Sequence, residues 1–339
     1  MSVNILYQFN DAYAVFAGVS MTSLFEHNRD IADLRVYVLD EDISRARKEE
    51  LEDNARKYNR SITFYETKQL VEYMKEIGIP SYRNSYATNM KMFLPHFLED
   101  DLDRLLYIDS DTIIKASIKS LYRMDMDGKS IAMGLDVMGG KHKLYIGHGR
   151  EDNYYNAGII LFDVTRWKSE DCTQKIVDHV KQVRAHYMSP DQDLLNVVFK
   201  DNIAVFDLRN NLQPLHMAYT TAQIQRYFPQ KNYYDKSVIQ KALENPVILH
   251  TFRFLGEFPW HKDSLHPAVK EFDYYLKLSV WKGYQKLPTE QDGFVFKIER
   301  MLYRCMPKEV FLLIFKLNYD RFIYKASKAS EKRENIAQM

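Results

Sequence analysis

Asp109-Ser110-Asp111 is the sharpest chemical feature of this 339-residue chain. In extended backbone, residues i and i+2 share a face, so the two carboxylates stand side by side. They directly follow DRLLYI, an apolar run that reads as a buried strand. Adjacent carboxylates raise one another's pKa unless a cation neutralises them. A hard divalent cation with oxygen ligands resolves that cost and leaves coordination positions open for a diphosphate. By itself D-x-D equally describes a surface turn with two solvated aspartates. His250, inside VILHTF, is either a satisfied core histidine or a nitrogen ligand. An imidazole beside carboxylates and phosphate oxygens suits Mn²⁺ better than Mg²⁺, because Mn²⁺ accepts nitrogen more readily.

The elements that must hold these groups alternate in type over the first 135 residues. Strand-like runs at Val3–Phe9, Leu34–Leu39, Ile62–Tyr65, Leu105–Asp109 and Ile131–Leu135 are separated by helical patterns, among them 11–27, Ser44–Tyr58 and two stretches straddling Pro80, the later at Met90–Leu98. Such spacing predicts βαβ units, a mostly parallel sheet and an α/β fold whose ligands bind beyond the carboxyl ends of the strands. Those ends carry Asn10 and Asp11, Asp40, Asp109-Ser110-Asp111 and Asp136. Further strands are expected at 154–163, entered through Asn156-Ala157-Gly158, and at Val247–Phe252. Helices are expected at Thr173–Tyr187 and after Pro190, and the aromatic stretch 210–235 reads as irregular. Each singled-out residue has a plainer reading. Asp136 and Asp191 fit helix N-caps, Asn156-Ala157-Gly158 fits a turn chosen for φ > 0, and Trp260 fits the core.

Composition narrows the classes. With 47 Lys and Arg against 46 Asp and Glu, and 46 % hydrophobic residues, the chain is globular and not a polycation, so nucleic acid is not an expected partner. Cys172 and Cys305 lie far apart with no second Cys or His at metal-ligand spacing, which excludes a disulfide scaffold and a zinc finger and fits a reducing compartment. The longest apolar run, Val310–Phe315, is far shorter than a membrane span, and no leader pattern opens the chain. A cytoplasmic protein is expected. Residues 297–333 hold ten Lys or Arg and four Asp or Glu, a net of +6 in a chain whose total is +1. Interspersed aromatic and aliphatic residues give this segment the composition of a helix lying on anionic lipid at the inner face of the cell membrane. The same composition describes a helix docked on the core with a solvated basic side.

Seven segments, taken in order, resemble retaining glycosyltransferases of family 8, the group that includes glycogenin and bacterial lipopolysaccharide galactosyl- and glucosyltransferases. They are ILYQFNDAYAVFAGVSMTSL, KMFLPHFL, DRLLYIDSDTII, GLDV, YYNAGIILFDVTRW, SPDQDLLNVVF and VILHTF with GEFPWH. The resemblance runs from residue 3 to about residue 261 and implies a GT-A fold: a Rossmann-like, mostly parallel sheet flanked by helices. It divides the chain into a catalytic domain at 1–265, with nucleotide-sugar binding over about 1–135 and the acceptor side over about 136–265. A helical, basic extension follows at 266–339. It implies Asp109, Asp111 and His250 as ligands of an Mn²⁺ (or Mg²⁺) that clamps the UDP diphosphate. It further implies Asn10 on uracil, Lys91 near sugar and phosphates, Ser110 and Gly256 in donor binding, Asp136 and Asn156 on the transferred sugar, and Asp191 with Gln192 at the anomeric carbon. The family's Lys on the diphosphate is replaced by Phe258, with Arg253 and Lys262 as nearby cations.

The function so implied is transfer of glucose or galactose from a UDP-sugar to a hydroxyl of a cell-envelope glycan or glycolipid, with retention of configuration. Same-face attack is favoured over a covalent adduct on Asp191, because Gln192 is a poor nucleophile. The aromatic residues of 219–234 are candidates for stacking on sugar rings. A sugar nucleotidyltransferase would carry a Gly-rich phosphate loop near the N-terminus, where residues 3–20 hold only Gly18. The remaining alternative is a catalytically silent UDP-sugar-binding protein held at the membrane by its basic tail.

Overall fold

Among the described residues nine strands form in the computed structural model, and their apolar runs decide where each sits. The structure describes residues 2–79, 81, 86–97, 102–183, 187–289, 291 and 293–337. The strands are β1 (Val3–Asn10), β2 (Leu34–Glu41), β3 (Ile62–Glu66), β4 (Arg104–Ile108), β5 (Thr112–Ile114), β6 (Ile131–Leu135), β7 (Tyr155–Asp163), β8 (Ile203–Val205) and β9 (Ile248–His250). Seven of them make one sheet in the order β3-β2-β1-β4-β7-β6-β8, and β5 pairs with β9 in a separate two-stranded ribbon. The near-continuous apolar runs of β1, β4 and β6 are those of strands covered on both faces, and their aliphatic residues are buried throughout.

The expected α/β fold with a mostly parallel sheet forms. β1 runs parallel to β2 and β4, β2 to β3, and β6 to β8. The exception is β7, which enters between β4 and β6 and runs antiparallel to both, a direction that strand-like spacing alone does not encode. A second difference concerns the last predicted strand. Residues 248–250 do not join the main sheet but pair with Thr112–Ile114, and Thr112 stands opposite His250. The short turn at Asp109-Ser110-Asp111 redirects the chain from β4 into this ribbon, so the same turn that carries the carboxylates also brings the histidine to them.

Helix boundaries differ from the sequence pattern where polar groups intervene. The first helix begins with a 3-10 turn at Asp11–Tyr13, capped by the Asn10 side chain, and continues as Ala14–His27. The helix expected at Thr173–Tyr187 spans Cys172–Gln182, and residues 184–186 of that expectation lie outside the described residues, as do Pro80 and Leu98. The aromatic stretch expected to be irregular contains two short helices, Pro214–Ala218 and Thr221–Tyr227, the second closed by a Thr220–Gln223 capping box.

The C-terminal helix Lys308–Ala337 docks on the core. Phe311, Leu312 and Ile323 are buried, and the first two share a small apolar cluster with Val137, Ile224, Phe228, Phe254 and Leu255. No helix among the described residues is long and apolar enough to cross a membrane.

Candidate active site

A cavity of about 630 Å³ opens beyond the carboxyl ends of β1, β4 and β6, where an open α/β sheet places its ligands. Asn10, Lys91, Asp109, Ser110, Asp111, Asp136, Asn156, Asp191, Gln192 and His250 all line it. Ten of the eleven residues proposed from sequence are thus brought together. Gly256 is not among the lining residues. It sits in the turn joining Phe254 to Glu257 at φ +73°, and the left-handed backbone there is the reason for glycine.

Asp109, Asp111 and His250 converge. One potential ligand atom from each lies within 4.8 Å of the other two. His250 Nε2 is 3.6 Å from Asp109 Oδ2 and 3.4 Å from Asp111 Oδ1. The other ring nitrogen, Nδ1, faces the side-chain oxygens of Asn156 at 3.0 Å and Asn211 at 3.1 Å. Two carbonyl acceptors require Nδ1 to carry the proton, which leaves Nε2 aimed at the carboxylates with its lone pair available in the neutral ring. Burial lowers the pKa of His250, but Asp109 and Asp111 outweigh it and raise the value to about 9. Two carboxylates and an oriented imidazole fit a divalent cation that accepts both oxygen and nitrogen. The ring also depends on Gly158: a Cβ there would lie 2.0 Å from His250 Cε1. The Asn156-Ala157-Gly158 segment is therefore part of β7 and not a turn, and its glycine is a close-approach position.

A polar network adjoins this cluster through Asn156. Asp136, following β6, accepts from Val137 N at 2.7 Å, Asn156 Nδ2 at 3.1 Å and Gln192 Nε2 at 2.9 Å. Burial raises its pKa against the lowering effect of those three donors. Asp136 is therefore no helix cap. Gln192 Oε1 accepts from Ala157 N at 3.0 Å, so its amide spans from β7 to Asp136. Asp191 is not the N-cap of the helix Pro190–Val198 either. Ser189 holds that position, and Asp191 lies in the first turn, where the helix dipole favours a carboxylate.

Lys91 joins the two groups. Its ammonium is 2.7 Å from Asp191 Oδ2 and 3.9 Å from Asp109 Oδ1, donates to Ala157 O at 3.0 Å, and lies 4.3 Å from the Tyr107 ring centroid. Burial disfavours the charged form, yet Asp191 and Asp109 more than offset it and hold the pKa above the usual lysine value. Asp109 is lowered: Lys91 and His250 outweigh its burial, and Tyr107 donates its hydroxyl to the carboxylate. At the far end, Asn10 caps Tyr13 N at 3.3 Å, and Gln8 bonds Glu41 at 2.8 Å.

Several expectations change place. Phe258 is buried, stacked on Trp260 with centroids 4.3 Å apart, and Trp260 in turn stacks on Phe16 at 4.0 Å. Trp260 is thus core, and Arg253 sits over the Phe258 ring at 5.1 Å. Neither Arg253 nor Lys262 lines the cavity. Of the aromatic residues in 219–234, Phe228 lines it, while Tyr219 and Tyr234 are buried in the apolar clusters. Sequence reasoning missed Phe315 and Tyr319, which line the cavity from the C-terminal helix. Their signal, an aromatic pair four residues apart, was absorbed into the amphipathic tail.

A sequence model of the family described as Glycosyl transferase family 8 matches residues 4–264. General stress protein A of Bacillus subtilis is 25 % identical over 277 residues, which cover 80 % of this chain and 92 % of that protein. A lipopolysaccharide 1,2-glucosyltransferase of Escherichia coli is 26 % identical over 285 residues, covering 83 % of this chain and 79 % of that protein. The solved structure of the galactosyltransferase LgtC with donor and acceptor sugar analogues superposes with a TM-score of 0.63 at 22 % identity, covering 83 % of this chain and 99 % of LgtC. At that identity the likeness establishes the fold, which is GT-A-like.

Proposed function

The chain belongs to glycosyl transferase family 8, and from that premise we propose that it is a retaining hexosyltransferase moving glucose or galactose from a UDP-sugar to a hydroxyl of a glycan or glycolipid of the cell envelope. The observation that carries this reading is the convergence of Asp109, Asp111 and His250 in a cavity that Asp136, Asn156, Asp191 and Gln192 also line. The lipopolysaccharide glucosyltransferase relative supports the donor and acceptor classes.

In this reading Asp109, Asp111 and His250 hold Mn²⁺, with Mg²⁺ as a substitute, and the bound cation supplies Lewis-acid neutralisation of the diphosphate leaving group. The chain's own residues do the rest. Asn10 meets the uracil edge with its amide, which both donates and accepts, and Ser110 offers a hydroxyl to the donor. The Asp136 oxygens, fixed by three donors, accept from hydroxyls of the transferred sugar without reorganising. Asp191 places negative charge where positive charge develops at the anomeric carbon. Because Lys91 already engages its Oδ2, same-face attack by the acceptor is favoured over a covalent adduct. Gln192, committed at both ends of its amide, positions the wall and is no nucleophile. Residues 1–135 then serve the nucleotide and 136–265 the acceptor.

The helices after residue 266 add a surface. Val310, Leu313, Ile314, Leu317, Phe322 and Tyr324 are exposed on a segment with net positive charge, which fits contact with anionic lipid. This would place the enzyme on the cytoplasmic face of the membrane, where a lipid-linked acceptor is found.

One observation favours a second reading, a silent UDP-sugar-binding protein. Lys91 is the one Lys or Arg among the described residues lining the cavity, and it is tied to Asp191, while Phe258 stands in the core. The deciding experiment is release of UDP from UDP-glucose and UDP-galactose by the purified chain with Mn²⁺, compared with Asp109→Ala. Release that needs Asp109 supports transfer. UDP binding with no release from either donor supports the silent protein.

A further inference from the structure

Tyr319 lies on the C-terminal helix, more than fifty residues past the last segment matched by the family, yet it faces the cavity. Its ring packs on Gly139, where a Cβ would sit 3.6 Å from Tyr319 Cε1. Its hydroxyl is 3.2 Å from His142 Nδ1 and 3.3 Å from Met138 Sδ. His142 Nε2 is 2.7 Å from Asp193 Oδ1, which makes Nε2–H the donor and leaves Nδ1 to accept from the Tyr319 hydroxyl. Asp193 is fully buried. It also accepts from the Tyr154 hydroxyl at 2.5 Å, and its second oxygen takes Met188 N at 3.1 Å and Ser189 N at 3.0 Å. The C-terminal helix is therefore connected, through one histidine and one carboxylate, to the turn that presents Asp191 and Gln192.

Phe315, one helical turn earlier, stands at 6.5 Å from the Tyr319 ring with its plane nearly parallel. Both rings line the cavity next to Val137, Met138 and Gly139, which follow Asp136 directly. The helix is held there by more than these rings. Phe311 and Leu312 are buried in the cluster with Val137 and Phe254, and Asp320 is buried and paired with Lys316 at 2.8 Å.

We infer that this helix is part of the active site: Phe315 and Tyr319 form the acceptor-side wall, an aromatic platform for the apolar face of a pyranose ring, and they keep bulk water from the donor sugar. The inference rests on the glycosyl-transfer reading of the same cavity. Sugar rings present C–H faces that pack on aromatic rings, while their hydroxyls need the polar groups that line the same cavity. A wall lost from such a site admits water, which competes with the acceptor hydroxyl.

The test uses the full chain with Mn²⁺ and UDP-glucose or UDP-galactose, without acceptor, reading free hexose and UDP affinity. Phe315 is 37 % exposed, so Phe315→Ala leaves the fold standing. Phe315→Ala and Tyr319→Ala are expected to raise free-hexose release about three-fold or more while UDP affinity stays within about two-fold. Tyr319→Phe, which keeps the ring, should show less than half the rise of Tyr319→Ala. Unchanged release in both alanine variants, or a parallel loss of UDP affinity, overturns the wall. If neither the unmodified chain nor either alanine variant releases UDP from either donor, the transfer reading fails separately. Saturation-transfer NMR of methyl α- and β-glucosides and galactosides on the UDP-loaded chain then decides the platform. A signal lost in Phe315→Ala upholds it; no signal, or one that persists, overturns it.

Discussion

The Lys91 ammonium stands 2.7 Å from Asp191 Oδ2, an ion pair between two helices that meets the Asp109–Asp111–His250 cluster through a second, longer approach of 3.9 Å to Asp109. Lys91 is 4 % exposed at its side chain and Asp191 13 %. Removing one partner of so buried a pair leaves the other charge uncompensated, at a typical cost of about 3 kcal/mol or more. Lys91→Met is expected to lower unfolding stability by about that amount. It should also reduce UDP release about 100-fold or more, since two carboxylates at the cavity lose their common counter-charge. Urea unfolding and initial-rate measurements check both.

Asn156 and Asn211 together decide which nitrogen of His250 faces the carboxylates. The Asn156 side-chain oxygen is the nearer, at 3.0 Å from Nδ1, and partners of this kind typically contribute 10- to 100-fold in metal affinity. Asn156→Ala is expected to weaken Mn²⁺ binding by about 10-fold or more, while leaving the carboxylates in place. Calorimetric titration of Mn²⁺ into the variant checks it; affinity equal to that of the unmodified chain would deny the orienting role.

Two buried histidines away from this cluster set an acid limit on stability. Burial lowers His216 to about 4 and His266 to about 3. His216 faces the Tyr233 hydroxyl and His266 the carbonyl of Phe252, with no charged partner for either protonated ring among the described residues. In the unfolded chain both titrate near the ordinary value of about 6.5. The unfolded state therefore binds more protons below that value. The stability they confer is complete above about pH 6.5 and is lost as pH falls toward their folded values, by about 1.4 kcal/mol per pH unit for each ring. Urea unfolding between pH 7 and 5 should show this decline, and His216→Gln together with His266→Gln should flatten it.

Much of this was legible in the chain. The strands β1, β4 and β6 carry near-continuous apolar runs that only a covered sheet accepts, and Asp109-Ser110-Asp111 announces itself at the end of β4. Three features were not legible, for physical reasons. The antiparallel entry of β7 depends on which neighbours it pairs with, since its apolar pattern is the same in either direction. Gln192 and Asp136 make a hydrogen bond across 56 positions, which no local spacing encodes. Phe315 and Tyr319 sit on a helix that carries apolar residues on both its exposed and its buried faces, so composition does not single out the two that line the cavity.

The most direct measurement is calorimetric titration of Mn²⁺ into the full chain saturated with UDP, repeated for Asp109→Ala, Asp111→Ala and His250→Ala. One saturable site is expected, weakened about 100-fold or more in each of the three variants, because each removes a ligand from the same small cluster. A site that survives any one of these substitutions at undiminished affinity, or the absence of a site in the unmodified chain, would contradict the account.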